Sequence, residues 1–201
     1  MKIQSFEDEK EWLAARLGKI TGSRLKDVIV KRGTEKKKGF YELIAERIGT
    51  IRPPEKPMDR GHRLEDEALD RFAEATEKQV DRSLVIWMRD EDENIAVSPD
   101  GIVSEEEAVE VKCLSSASHI EAYLTQQTPK EYKEQFLQYF IVNDKLKTLH
   151  VCFYDPSLTV ADFFFITISR ADVLAEIEST LIYERETLQE VESIVKKLLS
   201  F

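Results

Sequence analysis

Two carboxylates and a lysine that could act together chemically lie close to one another in the chain. Asp100, Glu110 and Lys112 occur in the stretch SPDGIVSEEEAVEVKC, residues 98–113. If AVEVKC is a strand, alternation places Glu110 and Lys112 on one face, about 6–7 Å apart, and leaves an apolar face for the core. A three-residue turn at 104–106 then brings Asp100 opposite Glu110, with about 5 Å between their Cβ atoms. The two acids and the ammonium group would share one surface.

This arrangement is unfavourable unless a cation is present, because carboxylates placed directly opposite each other repel. A divalent ion prefers such a cluster of hard oxygen ligands, and the carbonyl of Val111 could add another. Two carboxylates, an ion and an ammonium group beside a water are what phosphodiester hydrolysis requires. The alternative is a surface hairpin in which Lys112 only neutralises Glu110. This stretch alone leaves both interpretations open.

The elements around the hairpin predict a mixed α/β domain. Apolar residues at helical spacing and cap residues predict helices at 7–17, 23–30, 40–48, 59–76, 116–124, 129–142 and 170–199. Ser23 is expected to cap the second of these. Strands are predicted at 80–88, 94–98, 100–103, 108–113, 148–154 and 161–168. Helices first, then a central sheet interrupted by two helices, then a closing helix indicate one layered domain over 1–201.

The net charge of −10 conceals an uneven distribution. Residues 1–60 carry 15 Lys and Arg against 10 Asp and Glu, whereas the rest carries 14 against 29. The run KRGTEKKK at 31–38 is either a solvated loop or an arm that contacts phosphates. A polyanionic partner is therefore not excluded.

Composition also favours a chain that works in a reducing cytoplasm. Cys113 and Cys152 lie far apart without a CxxC motif, so neither a disulfide framework nor a zinc knuckle is indicated. Alternation places Cys113 on the apolar face of its strand. The first residues are too polar for a secretory signal, and no apolar run reaches the roughly 18–20 residues that span a bilayer.

The spacing of SPDG and, nine residues later, EVK resembles the PD-(D/E)XK nucleases, and in particular the phage lambda exonuclease family of viral recombination nucleases. Three further segments resemble that family in the same order: RLGKITGS at 16–23, GHRLEDEALDRF at 61–72 and EYKEQFLQYFIV at 131–142. Together they cover residues from about 12 to about 145. Each segment is weakly specific alone, and the order of all four carries the resemblance.

The resemblance implies a fold and an activity. The fold would be a restriction-endonuclease-like core, a mixed central sheet flanked by helices, with a helical N-terminal region and a long C-terminal helix. The activity would be a metal-dependent 5′→3′ exonuclease on linear double-stranded DNA, which leaves 3′ overhangs for phage-type recombination by strand annealing. A homotrimeric ring, a single-strand annealing partner and a phage or prophage gene acting in the bacterial cytoplasm are also implied.

The resemblance assigns metal and catalytic roles to residues of the hairpin and of the preceding helix. Asp100, Glu110 and the carbonyl of Val111 would hold Mg²⁺, with Mn²⁺ as a substitute. Lys112 would serve the attacking water, and Glu65 would help to hold a second ion. Glu65 could instead be an ordinary surface residue of an acidic helix.

The other matched positions would contact DNA or complete the catalytic site. Arg16, Ser23 and Ser98 would grip the terminal or scissile phosphate, although Arg16 could instead pair with an acid of its own helix. Gln135 is the first choice for the family's catalytic glutamine because of its spacing from the preceding tyrosine. Gln138, a DNA contact in this interpretation, is the alternative.

One segment departs from the family pattern. The prototype has an arginine just after the Glu-x-Lys strand, whereas this chain has LSSASH at 114–119. Binding of a 5′-phosphate would then be weaker, or other basic groups would supply the missing contact: Lys19, Arg24 or the 31–38 run. His62, three residues before Glu65, is either near the metal or solvated. A RecB-like single-strand exonuclease, a nicking endonuclease and a non-catalytic DNA-end-binding protein are the competing functions.

Overall fold

The computed structural model describes residues 1–28, 37–47 and 59–200, and these contain seven α-helices and seven strands. The helices are α1 (Glu9–Ala15), α2 (Gly22–Val28), α3 (Lys38–Arg47), α4 (Asp59–Thr76), α5 (Ser116–Thr125), α6 (Lys133–Val142) and α7 (Leu174–Leu199). The strands are β1 (Lys2–Ser5), β2 (Val85–Met88), β3 (Ala96–Val97), β4 (Gly101–Ile102), β5 (Glu107–Lys112), β6 (Thr148–Tyr154) and β7 (Phe163–Ser169). Short 3₁₀ turns precede α6 and α7.

The strands form two sheets where the sequence predicted one. One sheet has the order β1-β2-β3 and is antiparallel, and the other has the order β4-β5-β6-β7. In the second sheet β5 and β6 are parallel, while the outer pairs are antiparallel. A parallel pair needs a crossover connection, and here α5 and α6 supply it. The predicted mixed α/β class with a long C-terminal helix is confirmed.

Most predicted elements are confirmed, although several are shorter than predicted: the strand at 80–88 is β2, Val85–Met88, and the helix at 129–142 is α6, Lys133–Val142. The bounds of α4 and β6 coincide with the predicted 59–76 and 148–154. Asp8 caps α1, accepting a hydrogen bond from the backbone N–H of Lys10 at 2.9 Å. The structure adds β1, and α2 begins at Gly22, so that Ser23 lies inside the first turn and does not precede the helix.

Strand β5 is buried on both faces. Val109 and Val111 pack into a cluster with α4, while Ala108 belongs to the main core against α6 and α7. A strand covered on both sides is typical of the centre of a layered α/β sheet. Cys113 lies past the end of β5 and is exposed, so its predicted place in the core is wrong.

The register of the hairpin between β4 and β5 is the predicted one. Gly101 pairs with Val109 and Ile102 pairs with Ala108, which places Asp100 opposite Glu110. The turn is closed by bonds from the N–H groups at 103 and 104 to the carbonyl of Glu107, both at 3.1 Å. The two acids are thus brought together by strand pairing, as the spacing indicated.

Gly101 lets α4 approach this hairpin closely. A Cβ at this position would meet the Cγ1 of Val80 at 2.6 Å and the Cδ2 of Leu69 at 3.0 Å. We expect Gly101→Ala to lower the free energy of unfolding by about 1–3 kcal/mol, because extra volume in a packed core forces side chains to shift. Urea unfolding followed by tryptophan fluorescence measures this, with Ser104→Ala, in the exposed turn, as the control. Equal stability of the two variants would contradict the packing argument.

Two further predictions concern a membrane-spanning segment and the basic run at 31–38. Over the described ranges, no helix is both long and apolar enough to cross a membrane. Residues 31–36 of the basic run lie outside the described residues, and Lys37 donates a hydrogen bond to the carbonyl of Lys26.

Candidate active site

The carboxylate of Glu110 lies at the centre of a network of donors. Only 2% of Glu110 is exposed, and its Oε1 accepts hydrogen bonds from the Nζ of Lys112 and the Nε2 of Gln135. Its Oε2 accepts a hydrogen bond from the hydroxyl of Tyr139. A buried charge is costly unless it is paired and hydrogen-bonded. The three donors therefore fix this carboxylate in place.

Helix α6 provides two of these donors. Gln135 and Tyr139 are four residues apart, so both face β5 from one side of the helix. The ring of Tyr139 packs edge-on against Trp87, with 6.3 Å between centroids, and its hydroxyl lies 3.4 Å from the carbonyl of Ser98. A Cβ on Gly22 would touch Gln135 at 3.3 Å, so α2 packs tightly against this side of α6.

Asp100 faces the edge of β5 next to Glu110. Its Oδ2 accepts a hydrogen bond from the N–H of Val111 at 2.7 Å. The N–H and C=O of one strand residue point to the same edge, so the carbonyl of Val111 is directed toward Asp100 as well. Desolvation and the neighbouring charge of Glu110 raise the pKa of Asp100 well above its usual value, and Glu65 adds to the effect. A positive charge here would relieve that repulsion.

The ammonium group of Lys112 lies between the acids and an aromatic ring. Desolvation acts to lower the pKa of Lys112, but Glu110 and Asp100 outweigh it, so the pKa is raised and the group stays charged. The Nζ atom lies 5.0 Å from the ring centroid of Tyr132, at the start of α6. A lysine between two carboxylates and a ring face is held firmly at one point.

The oxygen donors at this site suit a divalent cation, but few of them come from side chains. Asp100, Glu110 and the Val111 carbonyl supply hard oxygen atoms from neighbouring strand positions, which suit Mg²⁺ or Mn²⁺. Among the residues that the structure describes, no three His, Cys, Asp or Glu side chains are grouped so as to hold an ion. Glu65 of α4 is half-buried and close enough to raise the pKa of Asp100. Its role as a metal ligand stays a prediction.

Arg16 is the C-cap residue of α1 and interacts electrostatically with the two acids. Its guanidinium lies 4.3 Å from the ring centroid of Trp12. Burial lowers the pKa of Arg16, and the charges of Asp100 and Glu110 act in the opposite direction. The arginine is thus electrostatically coupled to the site, where a phosphate could replace part of this interaction.

The loop between α1 and α2 is fastened to α3. The Oε2 of Glu46 accepts bonds from the N–H of Gly18 at 2.9 Å and the Nη1 of Arg24 at 2.8 Å, and the Nε of Arg47 donates to the carbonyl of Gly18 at 3.0 Å. Gly18 has a φ of +71°, which favours glycine. Arg24 is therefore held in an ion pair and is less available to a phosphate than the sequence suggested.

The remaining predicted DNA contacts differ in exposure. Ser23 is exposed in the first turn of α2, and Lys19 is half-buried. The hydroxyl of Ser98 is buried without a hydrogen-bond partner in the described structure, while the backbone carbonyl of the same residue accepts from the hydroxyl of Tyr139. An unpaired buried hydroxyl carries a desolvation cost that a ligand oxygen would remove.

Gln138 does not reach the acids. It is fully buried, and its Nε2 donates to the carbonyl of Ile20 at 3.2 Å and to the Oε1 of Glu184 in α7 at 2.8 Å. A fully buried amide cannot contact DNA, so the structure does not support the proposed DNA contact of Gln138. Of the two candidate glutamines, Gln135 is the one that touches Glu110.

The segment LSSASH serves the local fold. Ser115 caps α5, and Ser116 donates a hydrogen bond to Asp155 at 2.5 Å. His119 is fully buried, with its Nε2 2.8 Å from the carbonyl of Ala161. These groups do not replace the arginine that the family pattern has here. The side chain of His62 lies outside the described part of the chain.

Two tyrosines were missed by sequence reasoning. Tyr139 donates to Glu110, and Tyr132 contacts Lys112. The signal that could have identified them is helical spacing, since Tyr132, Gln135 and Tyr139 recur at intervals of three and four residues. An aromatic residue at such spacing is usually read as core, which is why the hydroxyl was overlooked.

The comparisons with known proteins identify the family and the fold. A protein-family model described as a YqaJ-like viral recombinase domain matches residues 11–146. The fold resembles the crystal structure of an alkaline exonuclease, LHK-Exo, from Laribacter hongkongensis, with a TM-score of 0.80 and 28% identity over 95% of this chain and 96% of that chain. The complex of LHK-Exo with dAMP gives a TM-score of 0.78 and 29% identity, over 95% and 98% of the two chains.

A more distant structure shows the fold alone. A phage related exonuclease from Haemophilus somnus has 14% identity and a TM-score of 0.56, over 87% of this chain and 95% of that chain. No curated protein is significantly similar to this sequence. The family model and the two LHK-Exo structures confirm the resemblance to the lambda exonuclease family that the sequence motifs predicted.

Proposed function

Because this chain belongs to the YqaJ-like viral recombinase domain family, we propose that it is a metal-dependent DNA exonuclease. The observation that carries the proposal is the position of Asp100 opposite a buried Glu110, with Lys112 bonded to Glu110. A hairpin that only neutralised a surface acid would not bury that acid under three donors. The relatives of known structure are exonucleases, which supports the same reaction class.

Asp100, Glu110 and the carbonyl of Val111 would hold the cation, for which Mg²⁺ is our proposal and Mn²⁺ the substitute. When bound, such an ion supplies Lewis-acid stabilisation of the charge that develops on the phosphate. We propose two ions, and Glu65 would help to hold the second. The charge of Glu65 raises the pKa of Asp100, so the two carboxylates interact.

The chain's own groups position the substrate and the attacking water. Lys112 would orient the water and stabilise its developing negative charge, since its ammonium group is fixed by Glu110. Gln135 and Tyr139 hold the carboxylate of Glu110 in one orientation. Arg16 would bind the phosphate, because a planar guanidinium donates two parallel bonds to its oxygen atoms. Ser23 and Ser98 would add hydroxyl donors.

The finer assignment is a 5′→3′ exonuclease on linear duplex DNA. It would leave 3′ single-stranded overhangs for recombination by strand annealing, with an annealing recombinase as partner and a homotrimeric ring as the working form. A phage-type enzyme of this kind would act in the bacterial cytoplasm. The concentration of basic residues in the first 60 positions supports a DNA-facing surface there.

Two other functions are separated from this one by substrate. A RecB-like nuclease would prefer single strands, and a nicking endonuclease would cut closed circles. A non-catalytic DNA-end-binding protein would bind ends without degrading them. Lys112 is hydrogen-bonded to Glu110, and Asp100 lies opposite Glu110; this arrangement favours catalysis over binding alone.

Linear plasmid, closed circular plasmid and single-stranded DNA, each with Mg²⁺ or with EDTA, test the proposal. We expect progressive loss of the linear duplex from its 5′ ends, dependent on Mg²⁺, and no change in the closed circle. Strands labelled at the 5′ or 3′ end establish the direction of degradation on gels. Matched 5′-phosphate and 5′-hydroxyl ends measure the phosphate preference. Degradation of the closed circle, or of no substrate at all, would refute the proposal.

A further inference from the structure

Two lysines share one aromatic ring beside the candidate active site. The Nζ of Lys112 lies 5.0 Å from the ring centroid of Tyr132, and the Nζ of Lys26 lies 6.0 Å from the same centroid. Lys26 is in the last turn of α2, and Tyr132 immediately precedes α6. The ring thus links the catalytic lysine to a second cation that the family resemblance does not assign.

The packing of α2 on α6 fixes where Lys26 lies. Gly22, one turn before Lys26, would touch Gln135 if it carried a Cβ, at 3.3 Å. Gln135 bonds to Glu110. Lys26 lies one helical turn after Gly22, and Tyr132 lies about one turn before Gln135, so the two residues follow this contact on the side away from the acids. Lys26 is therefore the next position along the helix pair outside the acidic centre.

Lys26 carries a charge that the described structure does not neutralise directly. The residue is exposed, and among the described residues no carboxylate forms an ion pair with its Nζ. Lys112, in contrast, is bonded to Glu110 and is largely buried. Exposed lysines beside a nuclease centre gain binding energy from phosphate oxygens by counterion release.

The separation of the two ammonium groups suits nearby positions of one strand. Both lie near a common centroid, so their separation cannot exceed the sum of 5.0 and 6.0 Å. That upper limit equals about three base-pair rises of ~3.4 Å each, so both groups can contact phosphates of one strand that lie no more than about three nucleotides apart. A strand whose scissile phosphate is near Lys112 can then place a nearby phosphate at Lys26.

Acidic residues limit how far this contact extends. Lys26 lines a cleft together with Asp27, Glu131, Glu134 and Lys37. These carboxylates would repel a backbone that continued into the cleft. The contact is therefore confined to about one phosphate.

We propose that Lys26, placed beside Tyr132, binds one DNA phosphate that lies near the scissile phosphate on the same strand. The assignment rests on the proposed nuclease function and adds a substrate-positioning contact to it. Because Lys26 does not touch the acids, it contributes to binding of the strand and leaves the chemical step to Lys112. Its loss should raise KM and leave kcat nearly unchanged.

Binding of a labelled linear duplex in EDTA, between 50 and 200 mM KCl, tests the contact without cleavage. For Lys26→Gln we expect the slope of log K against log salt to be shallower by about 0.9, which is the value of one phosphate contact on duplex DNA. Lys26→Arg should restore the slope, and Lys196→Gln, on the exposed end of α7, serves as a charge-matched control. Mg²⁺-dependent cleavage by the same variants gives KM and kcat.

Two different failures are distinguishable. If the wild-type protein degrades linear duplex but Lys26→Gln matches Lys196→Gln in slope and KM, the Lys26 contact is refuted and the nuclease function stands. If the wild-type protein degrades no DNA yet Lys26→Gln loses one contact in binding, the proposed reaction fails and the phosphate contact stands. A kcat lowered as strongly as KM is raised would refute the separation of binding from chemistry.

Discussion

Lys112→Ala should lower kcat for Mg²⁺-dependent degradation of linear duplex DNA by about 10²–10⁴-fold, the range typical of a positioned group that assists proton transfer. The Lys112 side chain is only 15% exposed and its ammonium group is bonded to Glu110, so the substitution removes a charge held in a fixed position beside the acids. Initial rates on 5′-labelled linear DNA at saturating substrate measure the effect. KM should change little, because the exposed phosphate contacts remain.

Lys78→Ala is the matched control for this variant. Lys78 forms an ion pair with Glu107, which lies on the same strand as Glu110, three residues earlier. Removing it deletes a comparable charge pair away from the acids, so kcat should stay within about twofold of the wild type. Thermal unfolding of both variants shows whether the fold is intact. Persistent activity of a folded Lys112→Ala protein, with Mg²⁺ present, would remove this lysine from the mechanism.

The second large effect concerns stability and the buried acid of α7. The pKa of Glu184 is raised to about 8, mainly by burial; the hydrogen bond from Gln138 acts to lower it, and the charge of Asp92 acts to raise it. The Oε2 of Glu184 and the Oε1 of Gln138 are buried without partners in the described structure. A protonated Glu184 could donate to that amide oxygen, whereas an ionised one could not. The geometry and the pKa therefore both favour the neutral acid.

The pH dependence follows from the protons bound in each state. The unfolded chain ionises Glu184 near its ordinary pKa of 4.5, while the folded protein keeps the proton up to about pH 8. The folded state binds more protons between these values, so the free energy of unfolding falls by about 1.4 kcal/mol per pH unit as the pH rises through this window. Below pH 4.5 both states are protonated and the loss disappears.

Glu184→Gln should therefore stabilise the protein by about 3–5 kcal/mol at pH 8, and by little at pH 4.5. The amide oxygen of the new side chain can still accept the bond from Gln138. Urea unfolding at several pH values measures the difference. Glu186→Gln, an exposed position on the same helix, is the control and should change stability by less than about 0.5 kcal/mol. A pH-independent gain in Glu184→Gln would show that the acid is ionised in the folded protein.

The sequence predicted the elements whose local pattern agrees with their tertiary surroundings. The apolar spacing of Leu64, Ala68 and Phe72 specifies α4, and these side chains are buried where the spacing requires. The hairpin register followed from the bend at Asp100 and from alternation on β5. In such places local preference and packing lead to the same structure.

Elements fixed by distant partners could not be predicted in the same way. Strand β1, with the sequence KIQS, is exposed at all four positions and exists because it pairs with β2, whose paired residues lie 80 or more positions away. Gln138 and Glu184 are hydrogen-bonded although they lie 46 residues apart in the sequence, and the residues around one of them do not indicate contact with the other. The hydroxyl of Tyr139 reaches Glu110 only through the packing of α6 on the sheet. Local propensity contains no information about these long-range contacts.

The path of the chain between β5 and β6 also constrains the order of folding. The hairpin β4–β5 can form early because its partners adjoin in sequence, but parallel pairing must wait for the whole α5–α6 crossover to close. Until then Glu110 and Asp100 repel each other without the tyrosine and glutamine that arrive on α6. The donors that hold the Glu110 carboxylate therefore join the site only when this non-local step is complete.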